Sequence, residues 1–300
     1  MRGLAIAVAL VAACGKSGDR APEPGPAPAP PPVDAAVRAA APDAAPRAAR
    51  QRFPDATAAL SSILGPEVRI LGIGELHERA GAAAVQSAIG RFRAMFDAQL
   101  ARRASDLIVE VWARDACGEK SAQASKQVQQ MTQRPATTEN EIVTLMKSAR
   151  AAGVSNHVLE LHCSDYDSIV DARKEIDYEK LLQLVTKKLL GQALIVAGER
   201  KRNPPPPPRD LVVLYGGALH NNRYPDPSIA DFSYATSLVR MYGPAYVELD
   251  LYVPEYADGD KVLMTEPWYP NLKDAGSDHV LLIQRGPGSY ILILERGKQR

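Results

Sequence analysis

The chain predicts an α/β fold: a mixed, mostly parallel sheet flanked by helices and finished by a C-terminal β-hairpin. Three features of the 300 residues carry that reading. Five short runs rich in Val, Ile and Leu are apolar almost throughout, as strands buried on both faces are. Helical stretches separate them, which is the order of βαβ units. Two more strand-like runs close the chain around a Gly/Pro turn, which reads as a hairpin.

The N-terminus comes first in order and is of another kind. Arg2 gives a positive start, residues 4–11 (LAIAVALV) are unbroken and apolar, and Ala12 and Ala13 precede Cys14. A charged start, a short apolar run and small residues make a secretory signal over residues 1–13. The run falls well short of the roughly 20 residues a membrane-spanning helix needs. Val11-Ala12-Ala13-Cys14 resembles a bacterial lipobox. That resemblance implies cleavage before Cys14, lipidation of Cys14, and anchoring to a membrane through the lipid. Gly15, standing where an Asp would signal inner-membrane retention, points on the same resemblance to the outer membrane. Residues 14–51 are mostly Ala and Pro with few large apolar side chains. Such a stretch cannot offset its ordering entropy by burial, so a disordered, semi-stiff tether is expected. Residues 52–300 then have the length of one α/β domain.

Within that domain the expected strands are 68–72 (VRILG), 106–111 (DLIVEV), 157–161 (HVLEL), 211–215 (LVVLY) and 246–253 (YVELDLYV). Helices are expected over 80–101, over 138–152, which has a Thr-x-Glu start and stops at Gly153, and over 177–202. Runs 279–284 and 290–295 flank Arg285-Gly286-Pro287-Gly288-Ser289 and form the expected hairpin, placed at a sheet edge. Pro204 to Pro208 break helix and strand alike and read as a surface loop. No run after the signal reads as membrane-spanning; the longest, 189–197, is interrupted by Gly191 and Gln192. With Cys14 set aside, Cys117 and Cys163 are an even pair in an oxidising compartment, open to a disulfide or to two separate buried thiols. Lys plus Arg number 36 and Asp plus Glu 35, a balance without a nucleic-acid footprint.

Ionisable residues gather where the apolar runs end. The first run passes into Gly74-Glu75-Leu76-His77, the second carries Glu110, the third leads to His162 and Asp165, and the fourth to Gly216-Gly217-Ala218-Leu219-His220. Ligands in open α/β sheets bind at that carboxyl edge. Glu75 and His77, two apart, share a side if the chain is still extended. Glu110 sits in an apolar run, where an unpaired carboxylate is costly, so it needs a partner. His162 and Cys163 are adjacent and on a strand would face opposite sides, against a His/Cys pair.

These residues resemble a known superfamily. Gly74-Glu75-Leu76-His77 after a buried strand is similar to the G-E-x-H motif of erythromycin esterases and ChaN-like haem-binding lipoproteins, with Tiki/TraB proteins more distant. Glu110 resembles that group's second acidic position, and Gly217-Ala218-Leu219-His220 its later G-x-x-H motif. The chain lacks the second histidine that ChaN proteins carry soon after the motif. The resemblance implies a polar site of Glu75, His77, Glu110 and His220; Asp165, beyond the third run, and Arg223, after His220, are added in support from their place in the sequence. It also implies a hydrolase acting on a small-molecule or peptide substrate. Chemically the set allows two mechanisms. His77 or Glu75 takes a proton from water while His220 and Arg223 stabilise charge. Alternatively Glu75, His77 and His220 hold a divalent ion, zinc or manganese, that generates hydroxide. A haem-binding lipoprotein and a catalytically silent surface domain are the other two readings.

Overall fold

The computed structural model describes residues 6–8, 49–78, 85–113, 117–135, 137–171, 173, 175–206 and 209–297. Cys14, the expected lipidation site, and nearly all of the expected tether lie outside the described residues. The strands are β1 (Ile6–Val8), β2 (Arg50–Phe53), β3 (Ile70–Glu75), β4 (Ala104–Ala113), β5 (Ser155–Leu159), β6 (Leu211–Gly217), β7 (Tyr246–Tyr252), β8 (Val280–Gly286) and β9 (Ser289–Ile293). They form one sheet in the order β1-β4-β6-β3-β7-β9-β8-β2, with β5 also on β4.

The run β5-β4-β6-β3-β7-β9 is parallel throughout. β8 is antiparallel to β9, β2 to β8, and β1 to β4. The α/β class and the mostly parallel sheet are therefore as the sequence predicts. Two placements differ. The hairpin β8–β9 does not close the sheet, because β9 docks parallel on β7 and β2 covers β8. The expected domain start at residue 52 also cuts through β2, and the Ala49 carbonyl already accepts from Gln284 N–H. Arg-Gln-Arg-Phe has no apolar pattern to reveal a strand, but a charged, exposed strand is what a sheet edge tolerates. β1 lies in the segment read as a signal, and eight of the described strands follow Cys14.

Alternation along β3, β4, β6 and β7 feeds two cores, and Leu281, Ile283, Ile291 and Ile293 of β8 and β9 join a third around Trp268. Leu71 and Ile73 of β3, Leu107 and Val109 of β4, Val213 and Tyr215 of β6, and Leu249 and Leu251 of β7 face one side. Helices Ala56–Ile63, Ala88–Met95 and Thr137–Ala151 cover them. Ile70, Ile108, Trp112, Val212 and Leu214 face the other side, under helices Glu119–Thr132, Tyr178–Arg202 and Ala235–Tyr242. Burial of this apolar surface, at roughly 25 cal/mol per Å2, is the main stabilising term. Tyr178–Arg202, capped by the Asp177 carboxylate on Lys180 N–H, is long and apolar enough to cross a membrane. This revises the reading from run length alone. Half of its apolar window is buried, with Leu181, Val185, Leu189 and Val196 in the second core, and that packing accounts for its apolarity. Cys117 and Cys163 are joined as a disulfide, which ties the segment after β4 to the short helix Cys163–Ser168 after β5.

Candidate functional site

β3, β4 and β6 are neighbours in register, so their carboxyl ends deliver side chains to one place. Glu75 ends β3 on the face of Leu71 and Ile73; Glu110 sits on the opposite face of β4, between Ile108 and Trp112. β6 ends in Gly216-Gly217, and the chain then turns into the single helical turn Ala218–Asn221 that carries His220. Space explains two of the glycines. A Cβ at Gly74 would lie 2.2 Å from Asp250 Oδ1 and 2.6 Å from the Ala218 backbone; one at Gly217 would lie 2.9 Å from His77 Nε2. The strand ends approach so closely that a methyl group is excluded.

Glu75, His77, Glu110 and His220 are all buried. The structure brings these four predicted residues together and adds Arg134 and Tyr215. Glu75 Oε1 accepts from His77 Nδ1 at 2.9 Å and from Arg134 Nη2 at 2.7 Å, and Oε2 accepts from the Tyr215 hydroxyl. Burial opposes the charge on Glu75, but His77, Arg134 and Tyr215 outweigh it and hold the carboxyl below its ordinary range. The His77 ring is pushed down to about 3, first by burial and then by the Arg134 charge. Nδ1 of His77 faces an acceptor, Glu75 Oε1, and a donor, Arg134 Nη2. Among the described residues no group hydrogen-bonds to His77 Nε2.

The second half is built the same way. His220 Nδ1 faces the Phe232 carbonyl at 3.0 Å and the Thr186 hydroxyl at 2.7 Å. A carbonyl only accepts, so Nδ1 of His220 holds the proton, and Nε2 is a buried lone pair without a partner among the described residues. Burial pushes the ring down to about 4. Glu110 Oε2 accepts from Gly217 N–H at 2.7 Å, and Oε1, 3.7 Å from His220 Nε2, has no hydrogen-bond partner. Burial pushes Glu110 up to about 8. At neutral pH this contact is therefore a protonated carboxyl facing a neutral imidazole, not an ion pair.

Asn221, next to His220, locks the turn. Its amide donates to the Gly72 carbonyl at 3.0 Å and to Asp250 Oδ1 at 3.2 Å, while Tyr246 donates to its side-chain oxygen at 2.6 Å. Two predicted supporters are elsewhere. Asp165 receives the His162 backbone N–H at 2.7 Å and pairs with Lys188 at 2.6 Å, so it caps a helix. Arg223 donates to the Tyr246 carbonyl at 2.6 Å and lies over the Tyr246 ring, so it anchors β7 and not the site. The chain leaves the site after the single helical turn that carries His220, and Arg223 leaves with it. His157 pairs with Asp106, which also binds Arg200, as an ordinary sheet histidine would.

The predicted metal set of Glu75, His77 and His220 is not assembled. Both Glu75 oxygens are taken by hydrogen-bond donors, one of them a guanidinium. Among the described residues no group of three or more His, Cys, Asp and Glu is arranged to hold a metal ion. Sequence reasoning missed Arg134 because Gln-Arg-Pro-Ala carries no motif. Tyr215 had a legible signal, a hydroxyl at the carboxyl end of an apolar run one position before the paired glycines.

No family model and no curated protein matches the chain. Among solved structures, the type III effector HopBA1 is similar at 12% identity and a TM-score of 0.43, over 84% of this chain and 99% of that chain.

Proposed function

We propose that this protein is a membrane-tethered hydrolase of the erythromycin esterase/ChaN type. In this reading a buried Glu75–His77 pair activates water without a metal. The observation that carries it is the trio of buried, unpartnered atoms His77 Nε2, His220 Nε2 and Glu110 Oε1 at three neighbouring strand ends. Buried polar atoms are satisfied as a rule, and exceptions point to a bound group or a working site.

Each residue has a role that its surroundings permit. Glu75, charged and beside Nδ1 of His77, offsets the charge that forms when Nε2 takes a proton from water. Glu110, protonated at neutral pH, is placed to return a proton to the leaving group. His220 Nε2 faces Glu110 and accepts from water or substrate. Arg134 balances Glu75 and offsets negative charge on the reacting group. Cys14 supplies the anchor.

The test is hydrolysis of an ester and peptide panel by the mature chain, beside His77→Asn and Glu110→Gln proteins shown to be folded by circular dichroism. Activity lost in both variants and kept after chelation supports the reading. Activity abolished by chelation with stoichiometric zinc or manganese in the protein, or a Soret band with no hydrolysis, overturns it.

A further inference from the structure

β4 runs on past the point where β6 leaves it. From Asp106 to Val109 the strand has β5 on one edge and β6 on the other, since both pair with those residues. β6 then turns away as Gly216-Gly217 into the single helical turn that carries His220. On the edge held by β5 the pairing reaches Trp112, opposite Leu159. Val111, Trp112 and Ala113 also pair, antiparallel, with Val8, Ala7 and Ile6 of β1. A strand residue has two edges, and Leu159 takes one of those of Trp112, so β1 lies on the edge that β6 gave up. Its pairing starts one residue after Glu110, whose Oε1 has no hydrogen-bond partner among the described residues. Helices Glu119–Thr132 and Thr137–Ala151 run alongside. Three extended residues therefore fit a slot that adjoins the proposed site.

β1 belongs to the segment read as a signal, and cleavage before Cys14 takes it away. The outer edge of Val111 to Ala113 then carries backbone N–H and C=O groups that have lost their strand, the kind of edge that recruits another. We infer that in the cleaved chain this slot takes an extended segment of another protein, antiparallel to β4, and that this peptide is the substrate. Turnover of that peptide rests on the hydrolase reading, and the open slot on cleavage before Cys14. Ladder hydrogen bonds supply affinity whatever the sequence, as in other cases of strand addition. The residues seated there, Ile-Ala-Val, are uncharged and two of the three are β-branched, so a short apolar stretch of that kind is the favoured occupant. Its backbone runs beside Glu110 and the turn of His220. In the reaction the water oxygen bonds to the amide carbonyl carbon and gives its proton to His77 Nε2. The C–N bond breaks, the leaving nitrogen takes the proton of Glu110, and a proton passing from His77 back to Glu110 resets both. In the uncleaved chain residues 6–8 fill the slot themselves and hold substrate out.

The probe is a fluorescently labelled peptide in which Ala-Ile-Ala-Val-Ala is flanked by lysines. Its anisotropy is followed with chains 14–300 and 1–300, both carrying His77→Asn so that turnover does not consume it. Saturable binding to chain 14–300 is expected, about tenfold or more weaker in chain 1–300, where residues 6–8 compete from within the molecule. Neighbouring residues of a strand turn their N–H groups to opposite edges. N-methylation of the Ile or of the central Ala of the probe should therefore weaken binding about tenfold or more at one of the two positions and little at the other. That pair of probes decides the question on chain 14–300 alone if chain 1–300 does not fold. No saturable binding to chain 14–300, equal binding to both chains, or equal loss from both methylations overturns the inference. So does a concentration-dependent dimer of chain 14–300 that the peptide does not dissociate, since the occupant is then a second copy. A probe that binds as expected and is left intact by the chain with His77 sinks the hydrolase reading and leaves the strand slot, so the two fail separately.

Discussion

Two buried glutamates a few residues from one another in space have opposite protonation states, and the surrounding donors explain why. Glu75 meets three side-chain donors and stays charged; Glu110 meets one backbone N–H and keeps its proton. Their substitutions should therefore differ. Glu75→Gln leaves Arg134 as an uncompensated buried charge and should cost about 3–5 kcal/mol in urea unfolding. Glu110→Gln replaces a neutral carboxyl by a neutral amide and should cost within about 1 kcal/mol below pH 4.5, where the carboxyl is protonated in the folded and unfolded chain alike. The sign of the pH effect follows from the raised folded value of Glu110. The folded state keeps its proton while the unfolded state loses it, so wild-type stability falls as pH rises from about 4.5 to about 8. That fall should be missing in Glu110→Gln. Parallel pH profiles for the two proteins would show that Glu110 ionises normally.

At the scale of elements, the site depends on how closely β3, β6 and β7 approach. Gly74→Ala places a methyl against Asp250 and the Ala218 backbone, which should cost about 1–3 kcal/mol as an overpacked contact. Gly217→Ala presses on His77 Nε2 and should lower kcat while leaving KM nearly unchanged. The disulfide Cys117–Cys163 closes a loop with a sequence separation of 46, worth about 4 kcal/mol by chain entropy alone. Its reduction should lower the midpoint of urea unfolding, and an unchanged midpoint would show that the bridge constrains little. Run lengths and glycines marked most strands in the sequence to within a few residues. Helix Glu119–Thr132 escaped because its composition is polar, with Ala124 and Val128 its contributions to the second core.

For the whole molecule, the proposed cleavage before Cys14 removes β1 and the next described strand is β2, so a chain starting at residue 49 should be as stable as the cleaved one. A chain starting at residue 54 loses β2 and leaves β8 as an unpaired edge; it should unfold at lower urea and self-associate on size exclusion. Under the proposed anchoring, Cys14→Ala should move the protein from the membrane to the soluble fraction. Retention on the membrane would remove the lipid from the account.

Local pattern was enough for the α/β class, the parallel strands and the four residues Glu75, His77, Glu110 and His220, because strand polarity sends every carboxyl end to one edge. The pairing of Cys117 with Cys163 was open in the sequence and closed by the fold. What only the tertiary structure decided is the company those four keep. Arg134 is 59 residues from Glu75 in sequence and Tyr215 is 140, while Arg223, three residues after His220, points elsewhere. The charge state of Glu75 follows from those distant donors. A buried group takes its protonation from whatever surrounds it in a low-dielectric interior, and chain order does not record those neighbours.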